Sequence, residues 1–119
     1  MLARLSDGEL RLMLIVWERE PLGSGQLVKY CAEQLGWKKS TTYTVIKHLE
    51  KKQVLQNENA CVTSLVSQEE VQRQESRLVL KQRFGGSLPS FLTAFLDRSK
   101  LTQEEAEQLK ALIDRYKES

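Results

Sequence analysis

The sequence predicts a mostly α fold with one small β-hairpin, and three observations predict it. Ser- or Thr-led capping boxes recur at residues 6–9, 67–70 and 102–105. Apolar residues return at helical spacing through most of the chain. One stretch, "VLQNENACVTSLV" at 54–66, breaks that rhythm with β-branched residues around a polar centre. At 119 residues and 40% hydrophobic content the chain suits one domain, or one small domain with a helical extension.

Ser6-Asp7-Gly8-Glu9 opens the first helix: the serine oxygen accepts an amide of the first turn while the glutamate reaches back to the serine N–H. Leu10, Met13, Leu14 and Trp17 form its expected inner stripe, and Pro21 stops it after about Glu20. A second helix begins near Ser24, turns Leu27, Val28, Cys31 and Leu35 inward, and ends at Gly36. The third covers 39–52, with Thr42, Val45, Ile46 and Leu49 at the i, i+3, i+4, i+7 positions of one face. Val54-Leu55 and "CVTSLV" then flank Asn57-Glu58-Asn59 as two short strands around a polar turn. Three helices and a hairpin make a winged helix-turn-helix, assigned to residues 1–66.

Residues 67–119 return to helix. Ser67-Gln68-Glu69-Glu70 opens a helix running toward Phe84 and closed by Gly85-Gly86. Leu88, Phe91, Leu92, Phe95 and Leu96 lie on one face of the next, and Thr102-Gln103-Glu104-Glu105 caps a last helix striped by Ala106, Leu109, Leu112, Ile113 and Tyr116. Burying one Leu or Phe is worth roughly 1.5–3 kcal/mol, and three helices of this size hold more apolar face than they can cover alone. A second copy of the chain is the expected cover, since two-fold homodimers are the commonest soluble oligomers. Leu78, Phe84, Leu88, Phe91, Leu92, Phe95, Leu109, Leu112, Ile113 and Tyr116 are the expected interface of this dimerisation region.

The net charge is only +2, but its distribution is uneven. Residues 38–52 hold five lysines (Lys38, Lys39, Lys47, Lys51, Lys52) against Glu50 alone, whereas residues 65–119 are balanced. A local cationic stretch in a chain of low overall charge is the footprint of a nucleic-acid contact. Lysines neutralise phosphates and release condensed counterions. Ser, Thr, Tyr and His offer hydrogen bonds to base edges, and a threonine methyl can meet a thymine methyl. In a helix-turn-helix the N-terminal half of the second motif helix reads the major groove; here that half holds Lys39, Ser40, Thr41, Tyr43 and Thr44, preceded by Lys38. Lys47 and His48 follow one turn later, with Lys51 and Lys52 expected near the DNA backbone.

Other function classes find little support. The longest apolar run, in "LRLMLIVW", is too short and too interrupted by charge to span a bilayer. No signal-peptide pattern opens the chain, so a cytoplasmic protein is expected. Cys31 and Cys61 with one histidine make neither a disulfide framework nor a metal-ligand set, and both thiols are expected to be buried or half-buried. No His, Cys or carboxylate constellation suits acid–base or nucleophilic catalysis, and Gly85-Gly86 lacks the lysine of a phosphate loop. Neither an enzyme nor a cofactor is expected.

With those residues in view, the chain resembles the penicillinase-repressor family of bacterial transcriptional regulators (BlaI/MecI/CopY type). The resemblance runs through "LSDGELRLMLIVWEREPLGSGQLV", "GWKKSTTYTVIKHLEKKQVL" and the C-terminal helices, where "FGGSL" and the "LTQEEAEQL" segment are the most telling pieces. It implies a homodimeric repressor with one winged helix on each half of a palindromic double-stranded DNA operator. In resistance systems such repressors are relieved by proteolysis after a membrane sensor detects a β-lactam; the scissile Asn-Phe of those members falls at Ala94-Phe95 here. The CopY branch carries C-x-C metal motifs, which this chain lacks. Ser40, Tyr43 and His48 stand where the family commonly has basic residues, while Thr41 and Thr44 match. The hairpin is about four residues shorter than usual in the family and holds no Lys or Arg between Val54 and Ser67. A second hypothesis therefore stands beside the repressor: a paralogue that keeps the fold but acts through protein contacts, forming heterodimers through residues 67–119.

Overall fold

A computed structural model describes residues 2–118. Its order is α1 (Asp7–Arg19), β1 (Leu22–Gly23), α2 (Ser24–Leu35), α3 (Lys39–Lys51), β2 (Leu55–Glu58), β3 (Cys61–Ser64), α4 (Gln68–Arg83), α5 (Leu88–Leu96) and α6 (Gln103–Tyr116). The chain divides into two compact units, one ending at Ser76 and the other beginning at Arg77. The fold is mostly helical with a small antiparallel sheet, as a winged helix-turn-helix requires.

All three capping boxes form. The Ser6 N–H donates to Glu9 Oε1 at 2.7 Å while Glu9 N–H donates to Ser6 Oγ at 3.2 Å. Ser67 with Glu70, and Thr102 with Glu105, repeat the exchange. Helix α2 ends on Gly36 in the left-handed region (φ 68°), where a Cβ would be strained. The Gly36 amide then donates back to the Ala32 carbonyl and the Trp37 amide to the Cys31 carbonyl, closing the helix in an αL cap.

The sheet has order β1-β3-β2. The hairpin of β2 and β3 is the expected one, but its turn falls later than expected, at Asn59-Ala60, because Asn57 and Glu58 pair with Val62 and Cys61. Both turn residues have positive φ (52° and 61°), the geometry of a primed two-residue turn whose twist matches the strands. The third strand, β1, has no sequence signal. Two residues, Leu22 and Gly23, pair with Val62 and Cys61 because the connection from α1 to α2 lies along that edge. Cys61 is exposed on this sheet, so the expectation of a buried or half-buried thiol fails there. Cys31 is buried, and burial pushes its thiol pKa up.

The core of the N-terminal unit gathers Leu12, Met13, Ile15 and Val16 of α1, Leu27 and Cys31 of α2, Ile46 and Leu49 of α3, Val54, Leu55 and Val62 of the wing, and Val71 of α4. The stripe expected on α1 is thereby corrected. Met13 is buried, but Leu14 is 44% exposed, and Leu10 and Trp17 are only half-buried. Helix α1 is enclosed by α2, α3 and β3, so its buried face is wider than one stripe and centres on Leu12 and Val16. In the unit from Arg77 onward, none of the described residues is buried, although Phe84 meets Phe91 edge-on (centroids 5.2 Å apart) and Phe91 stacks on Phe95.

The two leucines on either side of Met13 separate these readings of α1. Leu12→Ala should lower unfolding free energy by about 2–4 kcal/mol, the cost of a buried cavity, whereas Leu14→Ala should stay within about 0.5 kcal/mol. Urea titrations of both variants check it, and equal losses would contradict the burial described.

Candidate nucleic-acid interface

Helix α3 is seated by Thr42, Ile46 and Leu49, which are buried, with Val45 half-buried beside them. Thr42 is the polar member of this face. Its hydroxyl donates to the Lys38 carbonyl at 3.3 Å, which lets it sit at zero exposure. With that face fixed, the 3.6-residue period turns the others outward. Lys38, Lys39, Ser40, Thr41, Thr44, Lys47, His48 and Lys51 are all exposed. The Thr44 hydroxyl donates to the Ser40 carbonyl at 2.9 Å, so Thr44 presents acceptor lone pairs and a methyl group to its surroundings.

Two of the ten residues expected at this surface are placed differently. Tyr43 is half-buried, and its hydroxyl lies 3.5 Å from Ser24 Oγ at the start of α2. Lys52 is half-buried at the C-terminal end of α3, and its ammonium is engaged within the protein. It donates to Glu9 Oε1 at 2.6 Å and to the Arg4 carbonyl at 2.8 Å. The Glu9 side chain is itself only 5% exposed. Burial alone would raise its carboxyl pKa, but hydrogen bonds from Lys52 and Ser6 and the Lys52 charge outweigh that and leave it below its usual 4.5. Glu9 was legible only as a helix cap; its second role depends on a partner 43 positions away.

The wing carries no cation between Val54 and Ser67, and its exposed tip is Glu58, Asn59, Ala60 and Cys61. The Ala60 carbonyl accepts the Ser24 amide at 2.9 Å, tying the tip to the start of α2. Among the described residues no group of three or more His, Cys, Asp or Glu side chains is placed to hold a metal ion, and no helix is long and apolar enough to cross a membrane.

A winged helix-turn-helix whose reading helix turns a lysine- and threonine-rich face outward defines a class, that of DNA-binding transcriptional regulators. The penicillinase repressor family matches residues 5–115, and the chain belongs to that family of transcriptional repressors. It is 23% identical over 118 residues to the penicillinase repressor of Bacillus licheniformis, spanning 96% of this chain and 92% of that one. It is also 23% identical over 115 residues to the methicillin resistance regulatory protein MecI of Mammaliicoccus sciuri and of Staphylococcus aureus (strain N315), covering 93% of this chain and 94% of each relative.

The Glu9–Lys52 pair sets a pH dependence. A carboxylate with a depressed folded pKa contributes stability that is present above its unfolded value and lost as pH falls through the folded one. Glu9→Gln should therefore cost about 1–2 kcal/mol near neutral pH, below the range for a fully buried pair because Lys52 is partly exposed. The gap between wild type and Glu9→Gln should close as pH drops below about 4.5. Thermal unfolding at pH 7 and at pH 3.5 checks both the size and the sign.

Proposed function

We propose that the chain is a homodimeric repressor that binds a palindromic operator, with one copy of α3 in the major groove of each half-site. One observation carries the reading: the seat made by Thr42, Ile46 and Leu49 leaves the cationic and hydroxyl-bearing faces of α3 free. In this reading Thr41, Thr44, Ser40 and His48 meet base edges, while Lys38, Lys39, Lys47 and Lys51 meet phosphates. Lys52 is left out of the contact set because its charge is already paired. Tyr43 borders the set from its half-buried position.

Residues 1–66 serve as the DNA-binding domain and residues 67–119 as the dimerisation domain of a cytoplasmic regulator. Supporting this, Leu88, Phe95, Leu112, Ile113 and Tyr116 are exposed, while Leu78, Phe84, Phe91, Leu92 and Leu109 are half-buried. Release by cleavage at Ala94-Phe95 is not part of the reading, because the asparagine that precedes the scissile bond in resistance repressors is replaced by alanine. A second reading, a fold-retaining paralogue that acts through protein contacts, draws its support from the wing: its tip offers Glu58 and no cation.

Titration against a labelled duplex from about 50 to 200 mM salt separates the two. The repressor reading expects a loss of affinity on the order of a hundredfold or more, and a further loss of at least about tenfold when Thr41, Thr44 and Lys47 are changed together to alanine. Negligible binding at low salt by a folded dimer would overturn it in favour of the protein-contact reading. Independently, Phe95→Asp combined with Ile113→Asp should shift the chain from dimer to monomer in sedimentation equilibrium, since two buried charges without partners oppose the interface.

A further inference from the structure

We propose that Thr44 reads the exocyclic amino group of one cytosine in each half-site, and that its hydrogen bond to Ser40 fixes that choice. The proposal rests on the repressor reading above and names the base it selects. Thr44 is exposed, and it stands two residues from both Thr42 and Ile46 of the seat. At 3.6 residues per turn that places it about 160° round the helix from each, opposite the core. Ser40 and His48, four residues to either side, lie on the same face. Lys47 and Lys51 border that face with groups that only donate. Glu50, the acid of α3, is six residues on and about 120° away round the helix.

A threonine hydroxyl with a free proton serves as donor or acceptor, and so discriminates poorly between bases. The Thr44 proton is committed, because its hydroxyl donates to the Ser40 carbonyl at 2.9 Å. Giving that proton to a base would break a bond already made, whereas accepting one from a base breaks none. The hydroxyls of the first turn are placed differently. The backbone ladder of α3 opens at the Lys38 carbonyl, which accepts the Thr42 amide at 3.1 Å. The residues four back from Ser40 and Thr41 are Gly36 and Trp37, which lie before that ladder. Thr44 therefore faces outward with acceptor lone pairs and a methyl group side by side. In the major groove the amino donors are adenine N6 and cytosine N4. Adenine sets N7, an acceptor, beside its amino group and is matched by side chains that both donate and accept. Cytosine sets a C–H at C5 beside N4, so one acceptor and one methyl group cover its edge. The chemistry of Thr44 matches cytosine.

The test enriches duplexes from a random-sequence pool with full-length wild type, Thr44→Val and Thr44→Ser. Valine keeps the shape and the methyl group but loses the oxygen; serine keeps the oxygen and loses the methyl group. Wild type should return cytosine at one half-site position, and Thr44→Ser should keep it. Thr44→Val should lose the preference at that position and nowhere else, with about a threefold to tenfold fall in affinity, the scale of one hydrogen bond. Replacing that cytosine by 2-pyrimidinone, which lacks the amino group, should weaken wild type about threefold to tenfold more than it weakens Thr44→Val. Any other base at the position that responds to Thr44→Val would overturn the proposal and leave the repressor reading intact. An unchanged profile in that variant, or an equal loss on every sequence, would do the same. A wild type that enriches no duplex would overturn both.

Discussion

The seat of α3 is the constraint from which the rest follows. A helix of 13 residues offers one face to a small core, and here Thr42, Ile46 and Leu49 take that place. Rotating the helix by one residue would drive Tyr43, Lys47 and Glu50 inward, and taking two charged side chains out of water costs far more than the packing it could gain. The register is thus held by charge as much as by apolar burial. Thr42 tolerates the core only because its hydroxyl is satisfied on its own helix, by the Lys38 carbonyl. On the proposed reading, the same lysine-rich composition that suits a phosphate backbone therefore also fixes which residues reach it. Folding and function select the same rotation of the helix.

Lys52 shows the limit of reading function from composition. It belongs to the same cationic cluster as Lys47 and Lys51, yet it sits where α3 meets α1 and finds Glu9. Glu9 Oε1 is shared between the Ser6 amide and the Lys52 ammonium, so one carboxylate both caps α1 and anchors the end of α3. Such a pair, partly open to water, adds modestly to stability. It contributes more to geometry, because it joins the start of α1 to the end of α3 through a charged hydrogen bond. Its neighbours in the cluster, Lys47 and Lys51, remain exposed.

Local signals were legible and long-range ones were not. Capping boxes at Ser6, Ser67 and Thr102 and the stop at Gly36 are written within four or five residues, and those helix ends fall where they are expected. The burial of Thr42, Ile46 and Leu49 follows from periodicity alone. The stripe on α1 misled because periodicity describes a helix with one covered side, and α1 is surrounded. The strand β1 escaped because two residues carry no pattern; pairing with Val62 and Cys61 creates it. At the candidate interface, exposure of eight of the ten expected residues was legible as the complement of the buried face. The placement of Tyr43 beside Ser24 and of Lys52 beside Glu9 required partners 19 and 43 positions away.

The uncharged wing and the open C-terminal unit belong to one energetic problem. On the proposed reading, each half-site is gripped by the lysines of α3 without cations from the wing. Four phosphate contacts give a slope of roughly −3.6 in log affinity against log salt, so a single half-site at physiological salt retains little electrostatic grip. Joining two such units makes the second contact intramolecular, with an effective concentration that reaches millimolar when the connection spans the sites. On that reading the apolar faces of α5 and α6, where none of the described residues is buried within its own unit, supply the joining force. On the proposed reading, an uncharged wing transfers control of operator occupancy from the DNA-reading surface to the subunit interface. A signal that loosens the dimer by a factor of ten would then lower occupancy nearly as much as one that removes a base contact, without touching α3.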